Sequence, residues 1–295
     1  MTIAFRATGD LDGAIAAGQQ ALALADEQGD SVLQMQATLY LGQAYFNIND
    51  FGRAAELLWR NVEAVDQGSG TLTLSTDMQI RSRAWLAQSL GKLGAFAEGR
   101  RHGEEALRLA MRDGRGETPI VAHACLGDLY LEQGALVPAI RVFEQGRALP
   151  ASGYRYWLRG TMMGLVAAYI QQGRLVEGCT LMEEAIRDSI HRNTLLGHPF
   201  PLTLLSEVCR LEGRGEEAWQ HACQARDLAR QRKARGVEAR ALRQLGTVYA
   251  HANPPDTAQA EAYYQQALAL TQELGMRPLQ AHCHLGLGTL YSQTG

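Results

Sequence analysis

A leucine, followed in most copies by a small residue and four residues on by an aromatic or apolar one, recurs along the whole chain. The clearest copy is Leu287-Gly288-Thr289-Leu290-Tyr291, with Gly295 four residues later. Upstream stand Leu245-Gly246-Thr247-Val248-Tyr249 with Asn253, Leu165-Val166-Ala167-Ala168-Tyr169 with Gly173, Leu126-Gly127-Asp128-Leu129-Tyr130 with Gly134, and Leu41-Gly42-Gln43-Ala44-Tyr45 with Asn49. Weaker copies run from Leu205 to Cys209 with Gly213 and from Leu86 to Leu90 with Gly94. The leading leucines at 41, 86, 126, 165, 205, 245 and 287 give a period of roughly 40 residues, the range of stacked helical repeats. Such an array grows by adding units, so 295 residues measure a number of repeats rather than a number of globular domains.

Each repeat resolves into two helical segments. In the first, Leu242, Leu245, Gly246 and Tyr249 stand three, four and seven residues apart, and His123, Leu126, Gly127 and Tyr130 copy the pattern. That spacing places one stripe on one helix face. The small residue in the stripe (Gly42, Ala87, Gly127, Ser206, Gly246, Gly288) lets a neighbouring helix come close. Glycine inside a helix costs about 1 kcal/mol relative to Ala, so its recurrence at one register implies a compensating close approach. Next comes Gly or Asn (Asn49, Gly94, Gly134, Gly173, Gly213, Asn253, Gly295), the residues that most readily take the left-handed conformation ending a helix. The second segment opens with a small residue (Ala14, Ala54, Gly99, Ala139, Gly178, Ala218), followed by pairs such as Ala21-Leu22, Ala106-Leu107, Ala185-Ile186 and Ala267-Leu268. Asn253-Pro254-Pro255 lengthens the last such turn.

Short Gly-, Ser- and Pro-rich segments at 67–76, 113–119, 150–153, 193–201 and 275–278 separate the repeats and are too short for domain linkers. Residues 1–295 are therefore expected to form a single repeat array. Met1 to Phe5 with Gly9 shares the motif's register, so the array is expected to begin in mid-repeat and, at Gly295, to end in mid-repeat. Solenoids shield their terminal apolar faces with polar caps. The expectation is a piece of a longer protein, or a last helix covered by another chain.

Abundant Ala, Leu, Gln, Glu and Arg, with few β-branched and aromatic residues, favour helix over strand. A formal charge of -3 and a pI near 6.3 give no global reason to expect nucleic acid or an anionic membrane as partner. No apolar run approaches the ~18 residues of a membrane-spanning helix, and no signal-peptide layout opens the chain, so a cytoplasmic protein is expected. Cys125, Cys179, Cys209, Cys223 and Cys283 are widely spaced without a C-x-x-C pair, four of them at or beside apolar helix positions, and read as reduced, buried or half-buried thiols.

A small-residue first helix, an aromatic, a Gly turn and an Ala-based second helix together resemble the tetratricopeptide repeat in its long-helix variety, over essentially the whole chain. The resemblance implies an all-α, right-handed superhelical solenoid of antiparallel helix pairs, about seven repeats of roughly 40 residues. A narrower likeness lies in Pro255, Gln259 to Leu270 (QAEAYYQQALAL) and Glu273 to Gly288 (ELGMRPLQAHCHLGLG). These are similar to the C-terminal repeat region of large bacterial signalling proteins that join a class III adenylate/guanylate cyclase domain, an AAA-type ATPase domain and tetratricopeptide repeats. Related arrays serve as sensor regions in regulators of the maltose-activator type. No cyclase or ATPase portion lies in this sequence, so neither activity is expected of it.

Catalytic and metal-binding patterns are weak. Gly91-Lys92 lacks the upstream glycine and following Ser or Thr of a phosphate loop. His123-x-Cys125, His221-x-Cys223 and His282-Cys283-His284 lack the three- or four-residue spacing that puts metal ligands on one helix face, and His123 and His284 fall in the packing column of Leu242 and Leu202. The basic run Arg226, Arg230, Arg232, Lys233, Arg235 straddles a helix end, where cations meet the negative end of the helix dipole, and has no interleaved aromatics for base stacking. Glu104-Glu105, Glu183-Glu184 and Glu216-Glu217 read as solvated acids of second helices without an accompanying base. No enzyme, cofactor or metal is expected.

In this repeat type, the resemblance implies, first helices line a concave wall and the residues flanking the stripe face the groove. By register these are Gln36, Leu39, Gln43 and Phe46, then Arg81 and Gln88, Asp128 and Leu131, Met163 and Ile170, Glu207 and Arg210, Arg240 and Arg243, and His282 and Thr289. An apolar middle with arginines beyond suits an extended peptide or partner helix; a merely solvated face is the plain alternative. Chaperone-tail binders of the family clamp a terminal carboxylate with Lys and Asn. Those columns here hold Leu39, Ala84, Ala124, Met163, Thr203, Arg243 and Gln43, Gln88, Asp128, Ala167, Glu207, Thr247, so that clamp is not expected. The leading expectation is a non-catalytic scaffold for a protein or peptide, the sensor or interaction region of a larger bacterial signalling ATPase or cyclase. Two other readings are a small-molecule-sensing repeat domain of a transcription-regulator type, and self-association through the uncapped C-terminal helix.

Overall fold

The computed structural model describes residues 11–67, 76–150, 155–190 and 199–294, which form fourteen α-helices and no strand. The chain divides into two compact units, residues 1–164 and 165–295. Unit 1 holds α1 (Leu11–Gln28), α2 (Ser31–Asn47), α3 (Phe51–Asp66), α4 (Thr76–Leu93), α5 (Phe96–Asp113), α6 (Thr118–Glu132) and α7 (Leu136–Arg147). The helix α8 (Arg155–Gln171) crosses the boundary. Unit 2 continues with α9 (Leu175–Ile190), α10 (Pro199–Leu211), α11 (Gly215–Gln231), α12 (Arg235–Ala250), α13 (Thr257–Glu273) and α14 (Arg277–Thr294). Among the described residues, no helix is long and apolar enough to cross a membrane.

The repeated motif marks the first helix of each pair. In unit 1, α2, α4 and α6 pack on their flanking second helices and also on one another, α2 on α4 and α4 on α6. Unit 2 repeats this with α10, α12 and α14. The motif leucines Leu41, Leu86, Leu126, Leu165, Leu245 and Leu287 are buried and Leu205 is half-buried. Burial of such a side chain stabilises by about 1.5–3 kcal/mol. On the second helices the small-residue column is enclosed: Ala14, Ala54, Ala139 and Ala218 are buried, as are Ala106, Ala185 and Ala267 further on.

Close approach explains the glycine in the stripe. A Cβ on Gly127 would lie 2.5 Å from the Phe143 ring of α7, and one on Gly246 would lie 2.8 Å from the Tyr264 ring of α13. Gly288 departs from this pattern, because nothing stands within 4 Å of its Cβ position on α14.

The turns follow the sequence closely. Asn49, Gly94, Gly134, Gly173 and Gly213 all have positive φ, from 68° to 80°. Asn253 does not share it: α12 stops at Ala250, and Asn253 is joined to Pro254 by a cis peptide. A residue before proline is steered toward extended backbone, which overrides asparagine's left-handed tendency. Lys233, Gly29 and Gly275 add left-handed ends to second helices, which the motif alone did not mark. At the starts of α2, α3 and α13, the carboxylates of Asp30, Asp50 and Asp256 accept from the backbone N–H three residues on, at 3.0, 3.1 and 3.0 Å. Such caps satisfy donors that no helix can bond internally.

Candidate functional site: the first-helix faces

Direct packing of first helix on first helix decides where the expected groove residues lie. In unit 1, Leu39, Ala84 and Ala124 belong to one apolar cluster with Trp85, Val121, Cys125 and Trp157. Leu39 and Met163, expected on an open wall, are therefore enclosed, and so is Ile170 in unit 2. The residues beside the stripe fill the seam between neighbouring first helices. Phe46 is half-buried, edge-on to Phe51 and to Trp85 with ring centroids 5.1 Å away in each case, and Trp85 meets Trp157 at 5.5 Å. Gln36 is exposed and Leu131 half-buried.

The polar members of the set brace one another. On α4, Arg81 Nη1 pairs with Glu117 Oε1 at 2.7 Å, and Gln88 Nε2 donates to Asp128 Oδ2 of α6 at 2.8 Å. One turn beyond Gln88, Lys92 Nζ donates to Asp128 at 2.9 Å and to Glu132 at 2.7 Å. The Cys125 thiol donates to Gln88 Oε1 at 3.6 Å, and burial pushes its pKa well up, with Asp128 adding to the effect. Lys92, Glu132, Trp85 and Trp157 were missed by register reasoning. Lys92 and Glu132 carried a signal, each standing four residues after an expected site residue on the same face.

Unit 2 has its own network. Gln244 Nε2 of α12 donates to Glu207 Oε2 of α10 at 2.8 Å, and Arg210 grips the same carboxylate with Nε at 2.9 Å and Nη2 at 2.7 Å. Burial pushes the Glu207 pKa up. The Arg210 hydrogen bonds and charge, Gln244 and the nearby Arg243 outweigh it, so the net shift is downward. Arg240 and Arg243 are half-buried on α12, while His282 and Thr289 are exposed on α14. His284, expected in a packing column, is also exposed, as is Leu285 at 68%. His123, by contrast, is buried, with Nδ1 2.7 Å from the Pro119 carbonyl, and burial lowers its pKa. Among the described residues, no three His, Cys, Asp or Glu side chains converge as a metal would require.

Two site residues hold donors that this bracing leaves out. Gln43 is 5% exposed, and its Nε2 has no hydrogen-bond partner among the described residues; the same is true of Arg81 Nε and of the neighbouring Trp85 Nε1. All three are N–H groups, on the adjacent first helices α2 and α4.

Antiparallel helix pairs whose first helices also pack on one another define a tetratricopeptide-like all-α repeat protein, and comparison with known structures agrees. The fold is similar to that of a Rap protein complexed with competence and sporulation factor (TM-score 0.64, 11% identity, covering 99% of this chain and 85% of that one). It is also similar to NprR in complex with its cognate peptide NprX (TM-score 0.63, 13% identity, covering 96% and 84%). A third likeness is to a Signal Transduction ATPase with Numerous Domains protein with a tetratricopeptide repeat sensor, from Pyrococcus horikoshii (TM-score 0.54, 12% identity). There the match covers 94% of this chain and 41% of that one. No protein-family model and no curated protein sequence matches the chain.

Proposed function

We propose that the chain is a non-catalytic scaffold that recognises an extended peptide or protein segment along its first-helix faces. The observation that carries this reading is the set of acceptor-less donors on α2 and α4, at Gln43 Nε2, Arg81 Nε and Trp85 Nε1. A buried N–H left without an acceptor costs about 1–3 kcal/mol. An extended segment presents main-chain carbonyls in a row, which are the acceptors this face lacks. The wider context we propose is a sensor or interaction region within a larger bacterial signalling ATPase or cyclase. Three facts support the reading. Proteins of this fold have been solved with peptide bound, an ATPase carries a repeat sensor of this shape, and the expected site residues brace one another instead of forming an acid, base and nucleophile constellation.

The test is selection of binders from a displayed library of random extended peptides, followed by titration of the selected peptides against variants. Charge reversal at Arg240 and Arg243 should weaken any peptide that engages unit 2, and Gln43→Leu any that engages unit 1. Peptides that bind both variants as tightly as the parent would count against the first-helix faces.

A further inference from the structure

Between α3, α4 and α5 of unit 1 lies a cleft of about 580 Å³ that the first-helix reading does not use. Four arginines line it, with three carboxylates already engaged. Asp66 pairs with Arg83, Glu105 with Arg108 at 2.6 Å, and Glu104 accepts from the Tyr130 hydroxyl at 2.8 Å. Arg100 and Arg101 therefore have no carboxylate within ion-pair distance among the described residues. Arg101 Nη2 instead donates to Nε2 of His102, at 3.2 Å. Arg83 is only 6% exposed, and while its Nη2 meets Asp66, its Nη1 is buried with no acceptor. Four guanidiniums face three carboxylates, one of them held only by a neutral hydroxyl, so the lining keeps an excess of one positive charge; a guanidinium fork with one arm unmet, beside two arginines outside any ion pair, suits an oxyanion.

We propose that this cleft binds a soluble phosphate monoester, its phosphoryl dianion held by Arg83, Arg100 and Arg101. The volume falls within the roughly 300–1,000 Å³ of small-ligand sites. From Arg101 to Arg108 the wall runs about 10 Å along α5, the length of a small metabolite rather than of a folded partner. His102, buried among these groups and edge-on to Trp59 at 5.1 Å, reports on occupancy. Burial and then the charges of Arg101 and Arg83 hold its pKa below the usual value, against the smaller upward pull of Glu98 and Asp66. A dianion in the cleft reverses the local sign and raises it.

The experiment titrates the full chain with inorganic phosphate and with glucose 6-phosphate, against acetate and chloride at matched ionic strength, by calorimetry and by NMR of the His102 ring. Both phosphate probes should bind, the monoester more tightly, and both should raise the His102 pKa. Arg100→Gln with Arg101→Gln changes two exposed side chains and gives up one hydrogen bond, from Arg101 to His102, so the unliganded melting temperature should fall by only a few degrees while monoester affinity falls at least about tenfold. Arg83→Lys keeps the charge, loses the fork and should weaken binding as well. The proposal is overturned by equal responses to acetate, by full affinity in the double variant, or by no monoester response at about 10 mM. Binding confined to vesicles of anionic phospholipid would also overturn it, by showing a membrane surface in place of a soluble ligand.

Discussion

Lys92→Met tests whether the polar row between α4 and α6 is a brace. The side chain is 12% exposed and donates to Asp128 at 2.9 Å and Glu132 at 2.7 Å, the latter carboxylate only 9% exposed. Methionine keeps the length of the side chain and removes the charge, leaving two carboxylates four residues apart on one face of α6. Breaking a fully buried ion pair from one side costs about 3–5 kcal/mol. Asp128 is 24% exposed and keeps the Gln88 hydrogen bond, so its share is discounted for solvent and the expected loss is about 2–3 kcal/mol. At about 2–4 °C per kcal/mol for a chain of this size or a little smaller, the melting temperature falls by about 5–10 °C. Urea unfolding followed by circular dichroism gives the free energy from the midpoint and slope. Adding Glu132→Gln to Lys92→Met removes one of the two carboxylates that faced the ammonium and should recover about 1–2 kcal/mol. A loss below about 0.5 kcal/mol for the single variant, or simple additivity in the double one, would refute the brace.

The two kinds of stripe glycine should part company: Gly127→Ala forces a methyl to within 2.5 Å of the Phe143 ring and should destabilise by about 1–3 kcal/mol. Gly288→Ala, with open space around it, should stabilise by up to about 1 kcal/mol through helix propensity, and thermal melts of the two variants check both signs. The pKa values of His102, His123 and His221 are all lowered from 6.5, chiefly by burial, so the unfolded chain binds protons first as pH drops. Stability should hold above pH 6.5 and fall below it, by at most about 1.4 kcal/mol per pH unit per histidine, and His123→Leu should flatten the slope. The Glu207 pKa is lowered too, so its contribution is present above its ordinary value of 4.5 and is lost as pH falls through its lower folded value. Comparing Glu207→Gln with the parent between pH 6 and 3 should show the parent's advantage shrinking only at the acid end.

The helix pairs were legible because their determinants are local. Asn49, Gly94, Gly134, Gly173 and Gly213 take the left-handed turn for a reason that each residue carries itself, the low cost of positive φ. The Ala column of the second helices was legible from spacing alone. Asn253 failed because the next residue, a proline, decides its backbone. Gly288 and His284 sit at motif positions of α14, yet their surroundings there are open; register names a helix face but not its neighbour. The site was only half legible for the same reason. Register identified Gln88, Asp128, Glu207 and Arg210 as facing residues, and the Arg210–Glu207 pair is local, but the Gln88–Asp128 and Gln244–Glu207 pairings each depend on a helix roughly 40 residues away. The arginine cleft left no motif, since Asp66, Arg83 and Arg101 come from three helices.

Gln43→Leu bears most directly on the central claim. It removes a buried amide whose Nε2 has no acceptor and replaces it with an apolar side chain of similar size. If that amide awaits a partner's carbonyl, the free protein should gain about 1 kcal/mol in urea unfolding while affinity for a selected unit 1 peptide drops about tenfold or more. A variant that loses stability yet binds the peptide as the parent does would show that Gln43 serves the fold, and the first-helix face of unit 1 would no longer stand as the binding surface.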